Sequence, residues 1–133
     1  MQHEFPIRVY YEDTDLAGIV YYANYLKFIE RARTEWVRGL GIDQGHLRAE
    51  AGIVFAVRRI EADYLRPAKF DDELTVITRP EAVTGARIIL EQVVLRRGEP
   101  LFQAQVTLVC LTVSGHAVRI PAELRRKLAP AVH

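Results

Sequence analysis

Apolar residues recur along residues 25–40 at spacings of three, four and one: Tyr25, Phe28, Ile29, Ala32, Trp36, Val37 and Leu40. That rhythm marks one face of an α-helix, with Lys27, Glu30, Arg31, Arg33, Glu35 and Arg38 covering the rest. Asn24 stands where an N-cap is expected, and Gly39 or Gly41 where a left-handed C-cap suits glycine. The predicted helix is about 15 residues and roughly 22 Å long. Elsewhere the pattern favours strands. Residues 7–12 mix β-branched and aromatic side chains and predict a first strand. Residues 43–51 predict a short second helix closed by Gly52. Residues 53–65 predict a long strand, apolar on both faces through residue 57 and then interrupted by Arg58, Glu61 and Asp63, so its two halves should meet different surroundings.

Pro67 and the Asp71-Asp72 pair break the chain before a third strand at residues 73–79. Thr84-Gly85 turns it into residues 86–97, and Arg97-Gly98-Glu99-Pro100 turns it again into residues 101–113. In that last strand Phe102, Ala104, Val106, Leu108 and Cys110 share one face while Gln103, Gln105 and Thr107 share the other, which makes the first face core. Residues 121–128 predict a small basic helix. The order suggests a single α+β domain over residues 1–133 in which a curved antiparallel sheet of five strands wraps one central helix. Such a sheet leaves a face and its edges uncovered, so a homodimer is expected, with a tetramer as an open alternative.

Composition narrows the function classes. The chain has 133 residues, 18 of them Lys or Arg and 17 Asp or Glu. Near-cancelling charge gives no global field toward nucleic acid or an acidic membrane surface. One cysteine, Cys110, excludes an intramolecular disulfide framework and suits a reducing compartment, so the cytoplasm is the expected location. Residues 1–6 carry no basic region followed by an apolar run, and no segment reaches the ~18 apolar residues of a membrane span. Membrane insertion is not expected.

Candidate chemistry gathers in one place. There is no Gly-x-Ser-x-Gly, no glycine-rich phosphate loop, and no pairing among His3, His46, His116 and His133 that would hold zinc. The run Asp13-Thr14-Asp15-Leu16-Ala17-Gly18 superficially opens like a calcium loop, but Ala17 and Asn24 stand where oxygen ligands are required. What remains is the carboxylate cluster Glu12, Asp13 and Asp15 just ahead of the helix. On one reading these residues shape a turn and complement the helix dipole, with Asp13 and Thr14 holding the loop. On the other, the free amides around Tyr22, Ala23 and Asn24 bind a developing oxyanion while a carboxylate attacks or activates water.

The continuous run Tyr11-Glu12-Asp13-Thr14-Asp15-Leu16-Ala17-Gly18-Ile19-Val20-Tyr21-Tyr22-Ala23-Asn24-Tyr25 resembles the signature of hotdog-fold acyl-CoA thioesterases of the 4-hydroxybenzoyl-CoA thioesterase type. Glu30-Arg31-Ala32-Arg33-Thr34-Glu35 and Tyr64-Leu65-Arg66-Pro67-Ala68 resemble the branch associated with the Tol-Pal envelope system. The resemblance implies that Asp15 is the catalytic carboxylate and that the Tyr22 amide polarises the thioester carbonyl. It further implies that Gly18, Val20, Tyr21, Asn24 and Tyr25 line the substrate pocket, and that the site lies between subunits. Tyr22 departs from the Tol-Pal pattern, where many members carry histidine, and matches the aromatic thioesterase side instead. No metal or nicotinamide cofactor is implied, since coenzyme A is part of the substrate.

Coenzyme A phosphates call for cations near the pocket mouth, and Arg58, Arg59, Arg66, Lys69 and Arg87 are the candidates. Two rivals remain open at this point. A hotdog dehydratase would need a histidine near its acid, and none lies between residues 4 and 45. A non-catalytic module could bind acyl chains on an acyl carrier protein or an envelope-associated partner.

Overall fold

The computed structural model describes residues 2–129. Its strands are β1 (His3–Arg8), β2 (Ile53–Tyr64), β3 (Glu73–Val83), β4 (Ile88–Arg96), β5 (Glu99–Thr112) and β6 (Ala117–Val118). Its helices are α1 (Asn24–Gly39), α2 (Gln44–His46, continued by a π-helical turn at Leu47–Ala51) and α3 (Ala122–Leu128). All pairings are antiparallel, in the order β1-β3-β4-β5-β2, with β6 added to β5 at Cys110 and Leu111. The sheet therefore has six strands where the pattern predicted five; a two-residue strand carries no periodicity to detect.

α1 lies against the sheet with the predicted face down. Tyr25, Phe28, Ile29, Ala32, Trp36 and Val37 are buried together with Phe102, Ala104, Val106, Leu108 and Cys110 of β5. Burying a large apolar side chain stabilises by about 1.5–3 kcal/mol, so this stripe is the main reason the helix forms where it does. Gly41, at φ 81°, ends it, with its amide donating to the Arg38 carbonyl. Cys110 is fully buried, and burial pushes its thiol up to about 11.

Three expectations change. The first strand covers residues 3–8, not 7–12, because Tyr11–Asp13 form a 3₁₀ turn closed by the Tyr10 amide donating to the Asp13 carboxylate at 2.8 Å. Pro6 is tolerated because β1 is an edge strand. β3 continues through Pro80 to Val83, and a register shift between Pro80 and Ala82 absorbs the missing N–H. Arg33 is not part of a solvated face. It donates to Gln92 Oε1 at 2.9 Å, and Gln92 Nε2 donates to the Ile29 carbonyl and to Thr78 Oγ1, both at 2.9 Å. Gln92 and Thr78 are fully buried, so α1 is bolted to β3 and β4 by a polar hub inside the apolar layer.

β2 forms the second edge of the sheet and has no partner on its outer side among the described residues. Its first half is partly buried on both faces and its second half is mostly exposed, matching the predicted change of surroundings. Val57 stands 45% exposed at this edge.

Candidate active site

The loop before α1 is a small hairpin. Thr14 pairs with Val20, the Asp15 amide donates to the Ile19 carbonyl at 2.9 Å, and the Gly18 amide returns to the Asp15 carbonyl at 2.9 Å. Gly18 sits at φ 80°, a conformation that side chains with a Cβ rarely adopt. Asp15 Oδ1 accepts the Ala17 amide at 2.9 Å, which fixes the side chain over the turn.

Asp13 fastens this hairpin to the helix. It is buried; its Oδ2 accepts the Tyr10 amide, its Oδ1 accepts Asn24 Nδ2 at 3.0 Å, and its carbonyl accepts the Tyr21 amide at 2.8 Å. Asn24 consequently does not cap α1. It is the first helical residue, Ala23 occupies the N-cap position without a side-chain bond, and the Asn24 side chain is spent on Asp13. Thr14 Oγ1 donates to the Tyr11 carbonyl at 2.6 Å, completing the loop.

At the helix start a cavity of about 320 Å³ is lined by Ile19, Val20, Tyr22, Tyr25, Tyr64, Leu65, Arg66 and Pro67. Aromatic rings build its wall: Tyr25 stacks on Phe102 at 5.0 Å, and Tyr64 meets Tyr22, Tyr25 and Phe102 edge-on. Tyr25 is held by its hydroxyl, which accepts the Ala68 amide at 3.0 Å, and burial raises its phenol pKa. Tyr21 is half exposed beside Tyr22, whose phenol raises its pKa, and the Asp15 carboxylate adds to that effect. The amides of Tyr22 and Ala23 have no hydrogen-bond partner among the described residues.

The structure thus brings Val20, Tyr22, Tyr25 and Arg66 to one cavity. Asp15 is exposed and does not line it within one subunit, although its backbone is bonded to Ile19, which does. Ile19, Tyr64, Leu65 and Pro67 line the wall without being among the residues expected there from the sequence. Tyr64 and Leu65 were within reach, since they open the resemblance motif at residues 64–68.

The cations divide. Arg66 lines both the cavity and an adjoining polar cleft of about 850 Å³, where it faces Glu99 at 3.4 Å; Lys69 lies in the same cleft. Arg58 lies at the β2 bulge and Arg59 is paired with Glu61. Both are five or six residues before Tyr64, about 16–20 Å along the strand, so they do not reach this cavity. Arg87 is at the β3–β4 turn, the opposite end of those strands from Arg96.

In the cleft Asp72 accepts from Arg96 at 2.8 Å and from the Lys69 amide at 2.9 Å. Partial burial pushes its pKa up, but the Lys69 amide and the Arg96 guanidinium outweigh this and hold it below the usual carboxylate value. A lowered folded-state pKa stabilises the fold above the unfolded value, about 3.9, and this is lost as pH falls through the folded value. Wild type should therefore melt above Asp72→Asn at pH 7, and the gap should close as pH drops below about 4. A gap that persists at pH 2 would contradict the assignment.

The chain matches the thioesterase-like superfamily over residues 9–128. It belongs to that family. Among relatives, it is 43% identical over 122 residues to the acyl-CoA thioesterase YbgC of Haemophilus influenzae, covering 91% of this chain and 90% of the relative. Among solved structures, a probable thioesterase from Bartonella henselae superposes with TM-score 0.87 at 38% identity, covering 91% of this chain and all of that one. A 4-hydroxybenzoyl-CoA thioesterase mutant complexed with 4-hydroxybenzoyl-CoA superposes with TM-score 0.90 at 22% identity, covering 96% of this chain and 99% of that one. That last likeness bears on the fold, which is the α+β hotdog the family resemblance implied.

Proposed function

We propose that this chain hydrolyses acyl-CoA thioesters to a free acid and coenzyme A. The observation that carries the reading is a small, aromatic-walled cavity opening at the unpartnered amides of Tyr22 and Ala23, beside the hairpin that presents Asp15. Family membership over nearly the whole chain supports it. A thioester carbonyl directed at those amides would have its developing negative charge stabilised, and Asp15 would act as nucleophile or as general base toward water. The apolar wall suits a short-chain or aromatic acyl group. Arg66 and Lys69 are proposed to meet the coenzyme phosphates.

Asp15 is exposed in one subunit and β2 offers a bare edge, so the working site is proposed to form in a homodimer paired along β2, with a tetramer left open. Arg58 and Arg59, on that edge, would then serve the partner's cavity. Among the described residues no helix is long and apolar enough to cross a membrane; a cytoplasmic location is proposed from the lone cysteine, Cys110.

Thiol release from a panel of short-chain and aromatic acyl-CoA thioesters, with an acyl carrier protein thioester alongside, tests the reading. Turnover of at least one coenzyme A thioester is expected. No release above buffer from any of them at micromolar protein would leave only a binding module. Dilution through the dimer dissociation constant should lower specific activity, and activity that stays constant would remove the dimer requirement.

A further inference from the structure

The first turn of α1 is wound more tightly than an α-helix. The Asn24 amide donates to the Tyr21 carbonyl at 2.8 Å and the Leu26 amide to the Ala23 carbonyl at 3.1 Å. In a regular helix the Leu26 amide would go to Tyr22. The Tyr22 carbonyl is therefore released from the helix, and the Tyr64 hydroxyl donates to it at 2.9 Å from β2, 42 residues away in sequence. That is its only partner among the described residues. The Tyr64 ring is set by edge contacts with Tyr22, Tyr25 and Phe102 at 6.3, 5.6 and 5.0 Å, so the hydroxyl arrives in a fixed place.

We infer that Tyr64 is a positioning residue for the oxyanion site, holding the peptide unit between Tyr22 and Ala23 and strengthening the Ala23 N–H as a donor. The inference rests on the thioesterase reading and deepens it. One peptide unit contains both the Tyr22 carbonyl and the Ala23 N–H. A hydrogen bond accepted by the carbonyl draws charge across the amide and makes its N–H a better donor. The neighbouring peptide, which carries the Tyr22 N–H, is ordered by the same anchor. Burial, followed by the Tyr22 phenol, raises the Tyr64 pKa, so the hydroxyl keeps its proton as pH rises past neutral. Tyr64 forms no bond to the reacting atoms; it acts through the amide.

Tyr64→Phe keeps the ring and deletes the hydroxyl. In a thiol-release assay kcat should fall about five- to tenfold, the worth of one neutral hydrogen bond, with KM within about twofold. A substrate analogue with CH₂ in place of the thioester sulfur gives a second readout: its bound carbonyl should absorb at higher frequency in the variant than in wild type. Tyr11→Phe, at an exposed tyrosine whose hydroxyl has no partner among the described residues, should leave kcat unchanged. An unchanged kcat in Tyr64→Phe, a rise in KM alone, or an unshifted carbonyl frequency would overturn the inference while wild-type turnover kept the thioesterase reading intact. Failure of wild type to release thiol from any thioester would instead remove the reading beneath it.

Discussion

Asp15→Asn should lower thioester turnover by about 10²- to 10⁴-fold, the range for a lost catalytic carboxylate, and leave the melting temperature where it is. The structural half of that expectation follows from the hairpin. The only hydrogen bond the Asp15 side chain makes among the described residues is the one Oδ1 accepts from the Ala17 amide, and an asparagine oxygen accepts it equally well. The side chain is exposed, so no packing is lost. Asp13→Asn provides the contrast. Both Asp13 oxygens accept from donors, Tyr10 N and Asn24 Nδ2, and an amide NH₂ in place of one oxygen sets donor against donor in a buried position. That change should cost about 1–3 kcal/mol of stability. Two aspartates two residues apart thus separate cleanly: one variant is stable and inactive, the other destabilised. Equal turnover by wild type and Asp15→Asn would sink the assignment of the carboxylate.

The largest effect on stability is expected at Gln92. Replacing it with leucine nearly preserves volume but strips the Arg33 guanidinium and the Thr78 hydroxyl of their shared partner. Arg33 lies partly under the sheet, where burial lowers its pKa, and it makes no ion pair with a carboxylate among the described residues. Gln92→Leu should therefore cost about 2–3 kcal/mol by chemical denaturation. Arg33→Met combined with Gln92→Leu should recover the part of the loss that comes from Arg33, because that contact is then apolar on both sides, while the buried Thr78 hydroxyl still lacks its partner. Additive losses in the double variant would show that the hub does not couple these residues.

The contrast between Arg33 and Tyr25 shows what the sequence could disclose. α1 was legible because its buried positions repeat with the helical period, and β5 because residues 102–106 alternate apolar and polar, buried and exposed. Arg33 was not, since a charged residue beside an apolar stripe looks the same whether it faces water or a buried amide across the sheet. The partner, Gln92, comes from 59 residues away, and no local signal announces such a meeting. The acidic loop stood out in the sequence as a candidate site because the family resemblance covers one unbroken run, residues 11–25. Its geometry was less so. Asn24 belongs to Asp13 rather than to the helix cap, and Tyr64 reaches the Tyr22 carbonyl only after β2 has been laid beside β5. Arg58 and Arg59 were placed with Arg66 by charge alone, and strand length separates them.

The burial of Cys110 makes the molecule a convenient witness to its own behaviour. Reagents that capture a released thiol react with thiolates, and a fully enclosed sulfur whose pKa has risen to about 11 offers them almost nothing near neutrality. Colour that develops during turnover therefore comes from product and not from the folded catalyst. In denaturant the same sulfur becomes reactive at one equivalent per chain, so a single reagent counts both catalysis and unfolding in every variant described above.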